Sequence, residues 1–357
     1  MIRLLVFLLT LGALSARADL VLTGRLEDVA GKKNLSERAL LKAQFNQTWE
    51  HFGLFMEGFG EAEGADEQAR ERRAESKAYL QELYAELKFD PIYIKVGRQA
   101  VRWSDTWVFP SLDVWTERRW NRLFFDPTTE QFIHPTGVDV TFVQPTWSIE
   151  AFYASEIAQS EFPKPLPIHV EEKNTDASFG GRLKAELGSF GFSLIGARAG
   201  WRDWQGVGAN YAFEQFVPKF ESGVMRDRGP IPPSGLFTNY FTTFGVDIFL
   251  SEWSFQPQVT IFDVGDIKHD SSDFQSIAYL SGTWKHQKHE LLLQGFRNMR
   301  TEDAFGCIEY TYNWKKWFQT AAFVQNYAGI DGGLLTIFQE MTDGTVGGLR
   351  LIFSTDL

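Results

Sequence analysis

"YLQELYAELKFDPIYIKV" spans residues 79–96. Two runs alternate on either side of Asp90-Pro91. In the first, Leu83, Ala85, Leu87 and Phe89 alternate with Glu82, Tyr84, Glu86 and Lys88. In the second, Ile92, Ile94 and Val96 alternate with Tyr93, Lys95 and Gly97. A period of two puts the two sets on opposite faces of an extended strand. Proline cannot donate to a ladder but suits a tight turn. The stretch therefore predicts a β-hairpin with one apolar face and one charged face.

The pattern recurs along the chain. Leu41, Ala43, Phe45 and Trp49 alternate with Lys42, Gln44, Asn46 and Thr48, and Trp147–Tyr153 repeats the period. Tight turns are expected near 50–51, 90–91, 144–146, 188–190, 251–252, 286–288 and 315–316. Longer polar connections are expected near 27–37, 62–77, 102–136, 155–177, 202–238, 263–274, 298–304 and 328–344. Seven hairpins, with a first strand near 20–26 and a last near 346–353, predict about sixteen strands.

The fold class this implies is all-β: a transmembrane antiparallel β-barrel with short periplasmic turns and long extracellular loops. A soluble sandwich also alternates, but three features favour the barrel. Short and long connections take turns, as a barrel with one tight and one elaborated rim requires. Strands of about ten residues match a tilted bilayer crossing. Each short turn also carries an aromatic, among them Trp49, Phe52, Phe89, Trp147, Phe190, Phe192, Trp253, Trp284, Trp314 and Trp317. Aromatics at one strand end form an interfacial girdle.

The remaining composition agrees. The chain opens MIRLLVFLLTLGALSARADL, which reads as a signal peptide over 1–18 with the barrel over 19–357. The only cysteine, Cys307, excludes an intramolecular disulfide and a Cys-based metal site. Loss of Arg3 and Arg17 takes the formal charge from −11 to −13, which argues against a nucleic-acid partner. No cofactor or metal is expected. The partners expected are the lipid bilayer, lipopolysaccharide, the outer-membrane assembly machinery and a small solute, with the chain acting as monomer or homotrimer. Lys42, Gln44, Asn46, Glu82, Glu86, Lys88, Lys95, Asp139, Arg182, Lys184, Glu186, Asp247 and Glu309 are expected to line a polar lumen.

One segment breaks the period: "VGRQAVRWSDTWVFPSLDVWTERRWNRLFFDP", residues 96–127. A wide barrel needs something to narrow it, and a loop folded inward needs aromatics to pack and charges to meet a solute. The long loop 102–136 is the candidate constriction. Arg98, Arg102, Arg118, Arg119 and Arg122 are its candidate contacts for anionic or hydroxylated groups. Trp103, Trp107, Trp115 and Trp120 are candidate stacking surfaces, and Asp105 and Asp113 its carboxylates. The same aromatics and ion pairs could equally form the loop's own small core. A second long loop, 202–238, carries Gly229-Pro230-Ile231-Pro232-Pro233 and reads as a gate over the mouth or an ordinary exposed loop. Residues 65–78, rich in helix formers, read as a short solvated helix.

Gly97-Arg98-Gln99, Trp103, Asp105, Leu112-Asp113 and Gly137-Val138-Asp139 resemble a motif set of bacterial outer-membrane porins, the alginate-export-like and related barrels. Gly348, Leu351 and Phe353 resemble the C-terminal insertion signal of such proteins. The resemblance implies a channel for passive passage of a small or polymeric solute across the outer membrane of a Gram-negative bacterium. The chain has no G-x-S-x-G, H-E-x-x-H or phosphate-binding loop, so it is not expected to be an enzyme. His286 and His289 fall at a short turn and read as solvated. A plugged barrel with a structural or adhesive role is the alternative, and an outer-membrane hydrolase a weaker one.

Overall fold

The computed structural model describes residues 18–31, 35–63, 75–106, 112–115, 117–118, 132–156, 178–200, 202–227, 237–263, 274–329 and 344–356. The chain runs β1 (Ala18–Gly31), β2 (Leu35–Thr48), β3 (Phe52–Glu63), β4 (Glu75–Phe89) and β5 (Ile92–Arg98). A two-residue pair follows, β6 (Glu117–Arg118) and β7 (Phe132–Ile133). Then come β8 (Thr136–Gln144), β9 (Trp147–Glu156), β10 (Ser178–Leu187), β11 (Phe190–Ala199), β12 (Arg202–Tyr211) and β13 (Phe216–Asp227). The last are β14 (Phe237–Leu250), β15 (Trp253–Asp263), β16 (Phe274–His286), β17 (His289–Asn298), β18 (Ala304–Lys315), β19 (Phe318–Ala328) and β20 (Thr345–Asp356).

All but β6 and β7 join one 18-stranded antiparallel sheet in chain order, and β1 pairs with β20 from Val21↔Asp356 to Gly31↔Val346. The sheet is a closed transmembrane barrel. Closure is what lipid demands, because hydrocarbon offers an unpaired N–H or C=O nothing to bond.

The alternation sorts as the sequence predicts. Cross-strand register runs Gln44↔Glu57↔Glu82 and Glu86↔Lys95↔Asp139, so these side chains share one face. The alternates from Lys42 to Glu309 named above lie on it. The opposite face is apolar and open: Leu280, Ile308, Val324 and Leu349 are each more than half exposed. In water such a surface would aggregate; in a bilayer it is solvated. At the short-turn rim the aromatics cluster as a girdle, with Trp49 5.1 Å from Phe52 and Phe318 5.1 Å from Phe353.

The strand number is eighteen, not sixteen. The segment 202–238 is no single loop: β12 and β13 cross within it, joined at 212–215 on the short-turn rim. Gly206, Gly208, Pro218 and Gly223 give those strands the composition of a loop. Pro218 lies one residue past the last β12–β13 pair, Asn210↔Lys219, where no amide is needed toward β12, and the glycines have a packing reason described below. A helix over 65–78 is likewise not formed in its described part. Glu75–Ala78 belong to β4, paired as Ser76↔Ala62 and Ala78↔Gly60, because an adjacent strand outweighs local helix propensity. Residues 65–74 lie outside the described residues, as do 1–17 of the signal peptide expected over 1–18; Ala18 opens β1.

Leu194, midway along β11, points to lipid. Leu194→Arg is expected to lower barrel stability by about 2–4 kcal/mol, read as a shift in the urea midpoint of heat-modifiable folding in vesicles. The same change at lumen-facing Gln294 is expected to cost far less.

Candidate functional site

Between β5 and β8 the described residues 99–106 and 112–115 lie off the barrel sheet, and β6 and β7 pair apart from it. Val101, Trp103, Leu112, Val114 and Trp115 pack in one buried cluster with Phe152, Ala154, Ile195 and Ala199. Phe152 and Ala154 alternate with the exposed Ile149 and Tyr153 along β9, and Ile195 alternates with the exposed Leu194 on β11. The wall residues that these side chains touch therefore face inward, so the described loop residues 101–106 and 112–115 lie on the inner side of the wall.

Trp103 stands edge-on to Trp115 at 5.4 Å, and Trp115 edge-on to Phe152 at 4.9 Å. Each tryptophan buries roughly 200 Å², worth up to about 5 kcal/mol at ~25 cal/mol per Å². Ordering a loop residue costs about 1–2 kcal/mol, so a few such anchors are needed to hold a segment this long.

Polar clamps fix the register. Glu221 of β13, almost fully buried, accepts from the loop: Ser104 Oγ lies 2.6 and 2.8 Å from its oxygens, Asp105 N 2.6 Å and Thr106 Oγ1 3.0 Å. Asn210 of β12 donates to Asp105 Oδ2 at 3.0 Å. Lys219 donates to the Asp105 carbonyl at 2.9 Å and pairs with Asp247 at 2.7 Å. Trp103 Nε1 donates to Glu150 at 2.6 Å, and Arg182 holds that carboxylate from its other oxygen at 2.8 Å while reaching the Arg102 carbonyl at 3.3 Å. At the returning end, Gln81 donates to the Phe132 carbonyl at 2.7 Å and His134 lies 3.7 Å from Glu82.

Close approach explains the glycines of β12 and β13. A Cβ on Gly206 would stand 2.4 Å from Leu112 Cδ2, and one on Gly223 3.3 Å from the same atom. Gly206 and Gly223 are direct cross-strand partners. Together they form a flat seat for Leu112.

The candidate residues separate into groups. Trp103 and Trp115 are 1% exposed, so they anchor the loop and present no ring face to a solute. Asp105 is half-buried at the centre of the clamp, and Asp113 is half-buried beside the core. Arg102 is exposed, with its guanidinium 4.7 Å above the Phe132 ring. Arg98 is half-buried, with a buried Nε that has no hydrogen-bond partner among the described residues. Arg118 sits in the β6–β7 pair through its backbone; its side chain, with Trp107, Arg119, Trp120 and Arg122, lies outside the described residues.

Sequence reasoning missed Glu221, Asn210, Lys219 and the glycine seat, because β12 and β13 were hidden in an assumed loop. His286 and His289 serve the rim. His286 bonds Glu252, which also accepts from Trp284 Nε1 at 3.0 Å, and these bonds hold the Glu252 carboxyl below its ordinary range. His289 meets the Tyr310 hydroxyl at 2.6 Å.

This architecture has solved counterparts. The fold is that of the Occ and Opd outer-membrane porins. OccK5 (OpdH) of Pseudomonas aeruginosa superposes with a TM-score of 0.63 at 12% identity, over 96% of this chain and 97% of its own. OpdK of the same organism, solved with vanillate, gives 0.60 at 10% identity over 95% and 98%. OccAB3 of Acinetobacter baumannii gives 0.60 at 10% identity over 96% and 99%. No family model and no curated protein sequence matches the chain.

Glu221→Ala leaves several loop donors unpaired, where a bond to a charged group is worth about 1.5–3 kcal/mol. The variant is expected to keep the barrel but free the loop, giving noisier single-channel current and faster proteolysis near residue 105. Gly206→Val, which collides with Leu112, is expected to do the same through packing alone.

Proposed function

We propose that the protein is an outer-membrane channel for passive diffusion of small polar solutes, anionic or carbohydrate, through a pore narrowed by the loop at 99–135. The reading rests above all on that loop, clamped against the inward face of a closed barrel whose wall is polar. Lys42 pairs with Glu57 at 2.7 Å, and Arg350 with Glu309, so the wall carries both signs. The fold shared with the Occ and Opd porins supports the same reading, as does vanillate, an aromatic carboxylate, in the OpdK structure. The signal peptide over 1–18, delivery by the outer-membrane assembly machinery, contact with lipopolysaccharide, and a monomer or homotrimer complete the proposal, which assigns no catalysis. The resemblance of the Trp103, Asp105 and Leu112-Asp113 motif to alginate-export-like barrels keeps a sugar acid among the candidate solutes.

In this reading Arg98, Arg102, Arg118, Arg119 and Arg122 offer guanidinium donors to the solute, and Trp107 and Trp120 offer ring faces. Trp103, Trp115, Asp105 and Asp113 shape the constriction from behind. The division follows exposure: a solute meets Arg102 and cannot reach a tryptophan that is fully covered.

Single-channel recording in planar bilayers tests this. Discrete steps that a small organic anion or sugar blocks are expected. A unit charge about 8 Å from a permeating ion in water is worth about 0.5 kcal/mol, so Arg102→Ala is expected to lower the anion-to-cation permeability ratio about twofold. Absence of any steps would favour a plugged barrel with a structural or adhesive role, and an unchanged ratio would remove Arg102 from the pore.

A further inference from the structure

The lipid-facing wall of β9–β13 ends, on the rim opposite the girdle, in a row that is not apolar. Cross-strand register places Phe179, Arg198, Asp203 and Arg226 side by side in that row. The row beneath holds Ala151, Gly181, Gly196, Gln205 and Val224. Beneath that lie Leu183, Leu194 and Val207, all exposed. The small residues of the middle row leave a groove beside the charges, and residues of the two upper rows line it. A Cβ on Gly196 would meet nothing within 4 Å.

The height of the charged row follows from geometry. Phe190 belongs to the girdle, and Arg198 stands eight residues along the same strand. At ~3.4 Å per residue and a tilt of about 40°, that is roughly 21 Å, close to the ~25 Å apolar band of such barrels. Arg198 and Arg226 are exposed at this level. Arg198 Nε pairs with Asp203 at 2.9 Å, while Arg226 has no carboxylate partner among the described residues. Among the described residues of this row, Arg198 and Arg226 therefore flank Asp203 at the lipid interface.

We infer that this groove binds a phosphorylated lipid of the outer leaflet, with its phosphate on Arg198 and Arg226 and an acyl chain lying over Gly196. The inference rests on the outer-membrane reading, which puts this rim in the outer leaflet. Guanidinium forks suit phosphate oxygens bidentately, and the Asp203 pairing holds one fork in place. A lipid fits better than free phosphate because exposed Leu183, Leu194 and Val207 lie two rows below the arginines, where an acyl chain would cover them and a bare ion would not.

Native mass spectrometry of the full barrel released from detergent tests the inference, with bisphosphorylated lipid A, its dephosphorylated form and inorganic phosphate as probes. One bound bisphosphorylated lipid per barrel is expected. Loss of the phosphates is expected to weaken binding at least about tenfold, since charged hydrogen bonds are lost. Arg198→Ala with Arg226→Ala is expected to weaken it similarly. Gly196→Leu, whose Cβ meets nothing within 4 Å, fills the groove and is expected to weaken lipid binding while channel conductance stays unchanged. Equal binding by the variants, equal binding of the dephosphorylated lipid, or an inorganic phosphate adduct lost with the arginines would overturn the lipid site. Failure of the protein to insert into bilayers at all would instead overturn the outer-membrane reading.

Discussion

Everything in this molecule depends on the backbone ladder closing between β1 and β20. An open sheet in hydrocarbon would strand a row of amides and carbonyls at each edge, at several kcal/mol per group. Closure removes both edges, and with them any need for an apolar core. The two faces of each strand then answer to different solvents. The outer face meets lipid and carries Leu280, Ile308 and Val324; the inner carries Lys42, Asp139 and Arg182. A mean hydropathy of −0.23 is what such a chain shows, because half of every strand is polar.

A closed ring of eighteen strands is too wide for wall side chains to fill, so what lies inside must be held separately. The loop between β5 and β8 is held by three kinds of contact with distinct tasks. Trp103 and Trp115 supply most of the burial. Glu221 and Glu150 fix position, since each accepts from loop donors with directions of their own. Gly206 and Gly223 set distance, letting Leu112 lie against bare backbone. Buried carboxylates are tolerable here only because their oxygens are satisfied; a partly satisfied network would cost more than an apolar one.

Period-two reading recovered the barrel and nearly all its hairpins, because lipid on one side and water on the other enforce alternation strand by strand. It failed where another demand overrode the pattern. β12 and β13 looked like loop because three of their inward positions, 206, 208 and 223, are glycines, and those glycines answer to Leu112, roughly a hundred residues earlier. Glu75–Ala78 looked helical because exposed strand ends need not alternate. Likewise the aromatic-rich stretch 96–127 was legible as a break in the strand pattern, but the roles of its described members were not. Which tryptophan anchors and which arginine stays exposed depends on wall partners that only register brings together.

The clamp also constrains how the loop can move. Asp105 is bound at three points: its amide to Glu221, its carboxylate to Asn210 and its carbonyl to Lys219. These partners sit on adjacent strands whose relative positions the ladder fixes, so none can follow the loop if it shifts. Lys219 is further tied to Asp247 on β14, which spreads the attachment over three strands. Small displacements would lengthen several charge-assisted bonds at once, and such bonds weaken steeply with angle and distance. The segment around Asp105 is therefore either seated or released, with little between. Arg102, two residues before Ser104 and exposed, inherits its position from that seat, so its charge is placed by Glu221 and Glu150 on the wall behind it.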